Sequence, residues 1–370
     1  MKKLLHIQLL PKLTGVQRFS LHLLDGLDKA EYDIYIASKP GDELRQEAEK
    51  RGFTYITIPS FCHAISPLDL LSLFHLIFII WRYKFDIVHT HSSKPGLLGR
   101  FAAWLCRVPI IVHTIHGTAF QEHQPQMVQK LYMLLELLAG TWCHKLAFVN
   151  HSDRLKYLSL KLIPENKAIS IYNAIPIEQS SVLHTIAAQR SIPEDSIVIG
   201  STIRFSTQKN AISLVTAACK ASAQQPRLKF IFVGDGEHYE LCKSIVRSYN
   251  AGNSVLLPGW DSDVIPWLRL FNAFVLYSRW EAQPFSIIEA MHSGIAVIGS
   301  AIPAIEELVN NECGYLVPLD NDAALVKAFC DVADNFPEAF NKGSIAKKRI
   351  EQVCDYHEML RAYKAIYEGR

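Results

Sequence analysis

The chain has 370 residues, is 49% hydrophobic and 20% charged, and carries a formal net charge of +2. That composition excludes a disordered chain and leaves no cation excess for a nucleic-acid stripe. At about 100–200 residues per domain the length predicts two domains, each able to bury its own core.

The eight cysteines form no CxxC pair and mostly sit in apolar runs, which points to buried, reduced thiols in a cytoplasmic protein. The N-terminal run MKKLLHIQLL begins like an export signal. Pro11-Lys12 ends it and no small-residue cleavage site follows, so it is read as a first strand, Leu4–Leu9. Strands are then predicted at Tyr32–Ala37, Phe53–Ile58, Ile87–His89, Ile110–Thr114, Leu146–Val149 and Ala168–Ile171, with helices such as Val16–Leu27, Leu97–Cys106 and Val128–Ala139 between them. Such βα alternation implies a parallel sheet covered on both faces. The segment Pro67–Lys84, PLDLLSLFHLIFIIWRYK, has an apolar core of about 14 residues, short of the roughly 20 that span a bilayer. Its plainer reading is a helix packed between the sheet and its neighbours. The sharper one is a membrane-facing helix with Trp81, Arg82, Tyr83 and Lys84 near the headgroups.

A polar stretch at 174–195 with two prolines reads as an interdomain linker. Strands resume at Ile197–Ser201, Lys229–Val233, Val255–Leu257, Ala273–Tyr277, Ile295–Gly299 and Gly314–Val317. Helices are expected at Ala211–Ala223, Tyr239–Ser248, Phe285–His292 and Asp322–Val332, and over about 350–368. The expected fold is α/β, with two doubly wound, Rossmann-like domains facing a cleft at the carboxyl ends of their strands. The domains are drawn at 1–178 and 190–350, and residues 351–370 form a helix crossing back to the first.

Four segments carry candidate chemistry. In SRWEAQPFSIIEAM, residues 278–291, a strand ends in a turn and a helix begins near Phe285, whose free first-turn amides suit an anion or sugar oxygens. Glu281 precedes that helix, and Glu289 lies one turn inside it, where a carboxylate can accept two hydrogen bonds from a diol. Two acids placed by folding alone would look the same. In GSTIRFSTQKN, residues 200–210, Arg204 and Lys209 flank a helix start and suit a diphosphate; a capping loop with solvated cations is the plainer reading. Gly15 follows the first strand. The fourth segment is FDIVHTHSSKPG, residues 85–96, with VHTIHG, residues 112–117. His89 and His91 have ligand-like spacing, but Asp86 offers no convincing third ligand, so no metal is expected. His89 is expected to pack and His91 to line an acceptor pocket. Two further patterns are discounted: VGDG at 233–236 lacks the third glycine of a dinucleotide loop because Tyr239 stands there, and Asp261-Ser-Asp263 is better explained by capping a helix.

These segments together resemble the retaining glycosyltransferases of the GT-B fold, above all glycosyltransferase family 4. The resemblance covers most of the chain and is strongest at 85–118 and 196–318. Ser278, Glu281, Pro284, Glu289, Ala290 and Met291 keep the register of the family's E-x7-E motif, while Ala282 and Gln283 replace its usual Gly and Phe. Arg204 and Lys209 match its G-R-x-x-x-x-K-G pattern, with Ile203 and Asn210 in place of the two glycines. The resemblance implies a hexosyltransferase that moves sugar from a nucleotide-sugar, with UDP expected, to a saccharide or lipid-linked saccharide in lipopolysaccharide, capsule or other surface-glycan assembly. Glu289 would hold the ribose and Arg204 and Lys209 the diphosphate. Glu281 and the amides at Phe285, Ser286 and Ile287 would orient the sugar. His116 would meet the sugar from the first domain, and Gly15 would admit the donor phosphate. Gly234, Gly259 and Trp260 would lie by the nucleotide, and His91 and Lys94 by the acceptor. No cofactor, metal or nucleic acid is implied, and the enzyme is placed in the cytoplasm or peripherally on the membrane's cytoplasmic face. An epimerase of the same fold, a non-catalytic homologue and a dehydrogenase remain the competing readings.

Overall fold

The structure is a computed structural model and describes every residue except 63–65, 122–123, 177–191 and 194. Most of the stretch read as a linker at 174–195 therefore lies outside the described residues. The chain forms two compact units, Met1–Pro176 with Tyr356–Arg370, and Ile177–Asp355.

In the first unit, β1 (Lys2–Ile7), β2 (Tyr32–Ser38), β3 (Thr54–Thr57), β4 (Ile87–His91), β5 (Ile110–Ile115), β6 (Lys145–Phe148) and β7 (Ala168–Ser170) form a parallel sheet in the order β3-β2-β1-β4-β5-β6-β7. Its helices include α1 (Gly15–Asp25), α2 (Glu43–Lys50), α3 (Leu68–Tyr83), α4 (Ser93–Leu105), α5 (Gln126–Thr141) and α6 (His151–Ser159). The strand order reverses between β1 and β4. Right-handed crossovers then send α1 and α4 to opposite faces, and their loops part at the carboxyl edge.

The second unit repeats the plan. Strands β8 (Ile197–Thr202), β9 (Leu228–Val233), β10 (Val255–Gly259), β11 (Ala273–Leu276), β12 (Ala296–Ser300) and β13 (Gly314–Val317) pair in parallel as β10-β9-β8-β11-β12-β13, so the reversal falls between β8 and β11. Helices α7 (Ala211–Gln224), α8 (Tyr239–Ser248), α9 (Ile265–Leu268), α10 (Phe285–His292), α11 (Pro303–Glu306), α12 (Asp322–Asp334) and α13 (Phe336–Val353) complete it. The last helix, α14 (Tyr356–Tyr367), belongs to the first unit.

Three elements differ from the sequence reading. The helix expected over about 350–368 is two helices, because Cys354 leaves helical geometry at φ −116° and ψ 53°. The unit boundary accordingly falls at Asp355–Tyr356 rather than at 351. Helix α13, with 18 residues, was not foreseen. Gly343 interrupts its pattern, and a Cβ there would lie 2.2 Å from the Gly294 carbonyl, so the glycine marks close packing and not a break. Finally, α3 is not enclosed as the plainer reading had it. It buries Ser72, Leu76 and Ile80 and turns Leu70, Phe74, Phe78 and Trp81 outward.

The first unit's core holds an unusual polar set. His6, His89, His91 and His113 are buried at or near the carboxyl ends of β1, β4 and β5, and Tyr363 and Tyr367 of α14 pack over them. Burial holds every one of these imidazoles below the ordinary range, and His6 and His116 are lowered to about 3. Below pH 6.5 the unfolded chain takes up protons that the folded chain refuses. Stability is therefore full above that pH and falls as pH drops toward 3, by up to about 1.4 kcal/mol per pH unit for each histidine. A denaturant titration repeated at pH 7.5, 6.5 and 5.5 should show the first unit's transition collapsing between the last two. A transition flat over that range would contradict neutral burial.

In the second unit the segment after β8 is packed directly against the loop after β9. Ile203 N–H donates to Val233 O, Phe205 N–H to Asp235 O, and His238 N–H to Phe205 O. Gly234, at φ 141°, could not carry a Cβ, which would sit 1.8 Å from the Ile203 carbonyl. The VGDG glycines thus serve backbone packing. Gly234→Ala should cost at least about 3 kcal/mol, read as a lowered denaturation midpoint of the second unit, whereas Gly252→Ala, with nothing within 4 Å, should be silent.

Candidate active site

In the second unit the reversal point gathers the loop after β8 and the loop after β11. Three contacts tie them. Arg279 N–H donates to Gln208 O at 2.8 Å, Gln208 Nε2 donates to Trp280 O at 3.0 Å, and Lys209 Nζ pairs with Glu281 Oε1 at 2.5 Å. Lys209 and Glu281, 72 residues apart, are both largely buried, with 18% and 7% of their side chains exposed. Arg204 lies on the same loop as Lys209, exposed and with no ion pair among the described residues. Asn210, at φ 50°, begins α7 in the left-handed region. This is one of the two positions where the family pattern has glycine, and asparagine is among the few other residues that tolerate such a conformation.

Helix α10 starts at Phe285, right after Pro284. The amides of Phe285 and Ser286 lie in its first turn, where no helical carbonyl can accept them. Glu289 is half-buried one turn on. The two departures from the family motif have separate explanations. Ala282 does not have a positive φ, so no glycine conformation is required there. Gln283 is buried and donates to the Cys354 sulfur at 3.3 Å, so its side chain is spent on packing against the end of α13. Farther along the edge, Gly259 has φ 93° and Trp260 is exposed. Asp261 accepts from Trp267 Nε1 at 2.8 Å and Asp263 from the Ile265 amide at 3.2 Å, so this pair ties down the start of α9.

In the first unit the edges of β1, β4 and β5 carry the other candidates. Gly15 opens α1, exposed and with ordinary φ. After β4, Ser92 sits at φ 63° and ψ 158°, a conformation rare outside glycine, at the point where the strand order reverses. A cavity of about 170 Å³ opens here, lined by Val16, Ser92, Ser93, His116 and Gly117 among others. His116 is half-buried, packs against the Phe19 ring and donates or accepts through Nε2 to His91 Nδ1 at 3.1 Å.

Two expected acceptor residues are corrected. His91 is fully buried and uses both ring nitrogens on other histidines, so it stands behind His116 and lines no opening. Lys94 pairs with Asp69 at 2.6 Å and donates to the Cys62 carbonyl, so its charge is already met inside the unit. The third imidazole near His89 and His91, which their spacing did not supply, is His6 from β1. Ligand atoms of the three lie within 4.8 Å of one another. Each of their six ring nitrogens already has a hydrogen-bond partner, so ligation would have to break an existing network.

Residues 13–179 match the family Glycosyltransferase Family 4 and residues 184–349 match Glycosyl transferases group 1. Over 342 residues, 90% of this chain and 88% of the other, the protein is 32% identical to the UDP-Gal:alpha-D-GlcNAc-diphosphoundecaprenol alpha-1,3-galactosyltransferase of Escherichia coli. It is 24% identical to the capsular polysaccharide biosynthesis glycosyltransferase CapM of Staphylococcus aureus, across 95% of this chain and 92% of that one. Its fold is similar to that of Anabaena Alr3699/HepE, solved in complex with UDP-glucose, at a TM-score of 0.86, 16% identity and full coverage of both chains. With one family match over each half, motifs in register at the carboxyl edges and a relative 32% identical along nearly its whole length, this chain belongs to glycosyltransferase family 4 and is a glycosyltransferase of the GT-B fold.

Proposed function

We propose that the protein transfers a hexose, with retention, from a UDP-sugar to a lipid-linked saccharide in the assembly of a surface polysaccharide. The observation that carries this reading is the Lys209–Glu281 pair, with Arg204 on the same loop as the lysine, at the strand-order reversal of the second unit. The relatives' names supply its direction: UDP-galactose and a diphosphoundecaprenol acceptor in one, capsular polysaccharide in another.

Breaking the bond between sugar and diphosphate leaves negative charge on the departing oxygen. Preorganised cations at that point stabilise the transition state more than the ground state. Arg204 and Lys209 take that role, so the reading needs no metal and no cofactor. Glu281 holds the lysine ammonium and orients sugar hydroxyls, with the first amides of α10 as further donors. Glu289 accepts from the ribose. Gly234, Gly259 and Trp260 flank the nucleotide, and within the first unit Gly15 is the candidate to meet a phosphate and His116 a hydroxyl of a ligand. A lipid-linked acceptor also gives the exposed apolar helices a purpose. On α3, Leu70, Phe74, Phe78 and Trp81 repeat at helical spacing, and on α5 so do Met127, Leu131, Leu134 and Leu138. Arg82, Lys84, Arg107 and Lys130 are exposed on or beside these helices. No helix among the described residues is long and apolar enough to cross a membrane. The surface therefore suits peripheral docking on an anionic bilayer, at the cytoplasmic face where nucleotide-sugars are available.

Arg204→Ala and Lys209→Ala should each lower kcat at least ~100-fold with the UDP-sugar, while EDTA leaves wild-type turnover intact. They should differ in stability. Arg204 has no ion partner to lose, whereas Lys209→Ala strands the buried Glu281 at a cost of about 1–3 kcal/mol. Near-normal turnover in both variants would remove the clamp from the reading.

The membrane contact is tested by flotation with vesicles containing anionic lipid. Phe78→Glu and Trp81→Glu should reduce bound protein severalfold without changing the melting temperature, since these side chains are 61% and 67% exposed. Undiminished flotation would place the acceptor lipid elsewhere.

A further inference from the structure

The buried histidines of the first unit form one hydrogen-bonded chain that starts at His116 and ends under the C-terminal helix. His116 Nε2 meets His91 Nδ1 at 3.1 Å, and His91 Nε2 meets His6 Nδ1 at 3.1 Å. His6 Nε2 meets the Tyr367 hydroxyl at 3.1 Å, and that hydroxyl meets His89 Nδ1 at 2.6 Å. His89 Nε2 then meets Thr114 Oγ1 at 2.7 Å, and Thr114 Oγ1 meets the Tyr363 hydroxyl at 3.0 Å. Each neutral imidazole has one donor and one acceptor nitrogen. Between two imidazoles the direction of one bond therefore dictates the next, and a hydroxyl that donates its one proton to one ring can only accept from the other.

The distances at Tyr367 decide that direction. A separation of 2.6 Å suits an O–H donor and is short for an N–H donor, whereas 3.1 Å suits N–H···O. Tyr367 therefore donates to His89 Nδ1 and accepts from His6 Nε2–H. His6 Nδ1 is then an acceptor, and its one in-plane lone pair is shared between the Ser20 hydroxyl at 2.7 Å and His91 Nε2 at 3.1 Å. His91 must donate from Nε2 to His6 and accept at Nδ1, and His116 must donate from Nε2 to His91. No other described group takes His116 Nδ1.

We infer that His6, His91 and Tyr367 are positioning residues that hold His116 as its Nε2–H tautomer, so that it offers a bare Nδ1 as hydrogen-bond acceptor to a ligand hydroxyl. The identification of that ligand as a sugar rests on the function proposed above, but the tautomer does not. The relay assigns a task to α14, which supplies the hydroxyl that sets the direction although Tyr367 lies 361 residues after His6 in the chain. It also distinguishes His6 and His91 from residues that merely fill a core, because leucine in either place would leave His116 free to carry its proton on either nitrogen.

The test is the nitrogen spectrum of the histidines in the full chain without substrate, with His116 identified by its absence from a His116→Gln spectrum. In the wild type His116 should carry its proton on Nε2; a proton on Nδ1, or rapid averaging between the two, overturns the inference. In Tyr367→Phe the His6 Nε2–H loses its acceptor, and a buried N–H without a partner is a costlier orphan than a bare ring lone pair. His6 should therefore invert, His91 with it, and the His116 proton should move to Nδ1. A folded variant with unchanged His116 nitrogens also overturns the inference, and should the variant not fold, the wild-type spectrum alone still decides. Turnover is a separate readout. Outer partners that fix an imidazole's tautomer are worth on the order of 10–100-fold where measured at metal sites, so kcat should fall about tenfold in Tyr367→Phe with the donor KM unchanged. A tautomer that inverts while kcat stays constant would leave the relay standing and remove His116 from the reaction.

Discussion

A parallel sheet whose strand order reverses cannot close its own carboxyl edge at the reversal. The chain leaves two neighbouring strands toward opposite faces, and the loops diverge from a gap that no helix covers. Each unit of this protein has one such gap, between β1 and β4 and between β8 and β11. The candidate residues collect there for that reason. Loops at the reversal hold backbone donors that the sheet does not use, and they can carry side chains that would be unaffordable inside a strand. Even the strained Ser92 backbone falls at this point of the first unit.

The two loops at the second unit's gap are tied by two hydrogen bonds and one ion pair. Lys209 and Glu281 come one from each loop and pair at 2.5 Å. Left alone, such a pair is a weak source of stability, because desolvating both ions offsets most of the attraction. It gains meaning if a third charge arrives. An ammonium has three donors and Glu281 occupies one, so Lys209 can keep its carboxylate and still reach a phosphate oxygen. At an effective dielectric near 20, two unit charges 4 Å apart attract by about 4 kcal/mol.

Fold and candidate site were legible to different depths. The βα alternation was plain because parallel strands buried on both faces read as short apolar runs, and the runs at Ile197–Ser201 and Ala273–Tyr277 lie within a residue or so of β8 and β11. Lys209 and Glu281 were marked by their places at a strand end and a helix start, although nothing in their 72-residue separation says that they touch. What stayed hidden depends on tertiary neighbours. Lys94 looks like a free cation until Asp69 of α3 is seen beside it. Gln283 looks like a defect in a sugar-binding loop until its partner, Cys354, is known. His6 carried no motif at all, since an isolated histidine in an apolar strand has the signature of any half-buried polar residue. The one available signal was cumulative: histidines at 89, 91, 113 and 116 fall at or near predicted carboxyl strand ends and His6 lies inside the first predicted strand, Leu4–Leu9, and neighbouring parallel strands bring such residues together.

The same cluster shows why a core would carry groups that weaken it in acid. Five lowered histidines make the first unit sensitive to pH, a liability that aliphatic residues would avoid at similar volume. Aliphatic residues, however, transmit nothing about direction. A serine or threonine hydroxyl can rotate and reverse its bond at little cost, and an amide can flip. An imidazole that is buried, neutral and bonded at both nitrogens can reverse only if its neighbours reverse too. The directly linked imidazoles of His6, His91 and His116 therefore behave as one two-state element, and Tyr367, which donates to His89 at 2.6 Å and accepts from His6, biases it toward one state. Stability surrendered below pH 6.5 is, on this view, the physical counterpart of holding one nitrogen of His116 in a defined state above it.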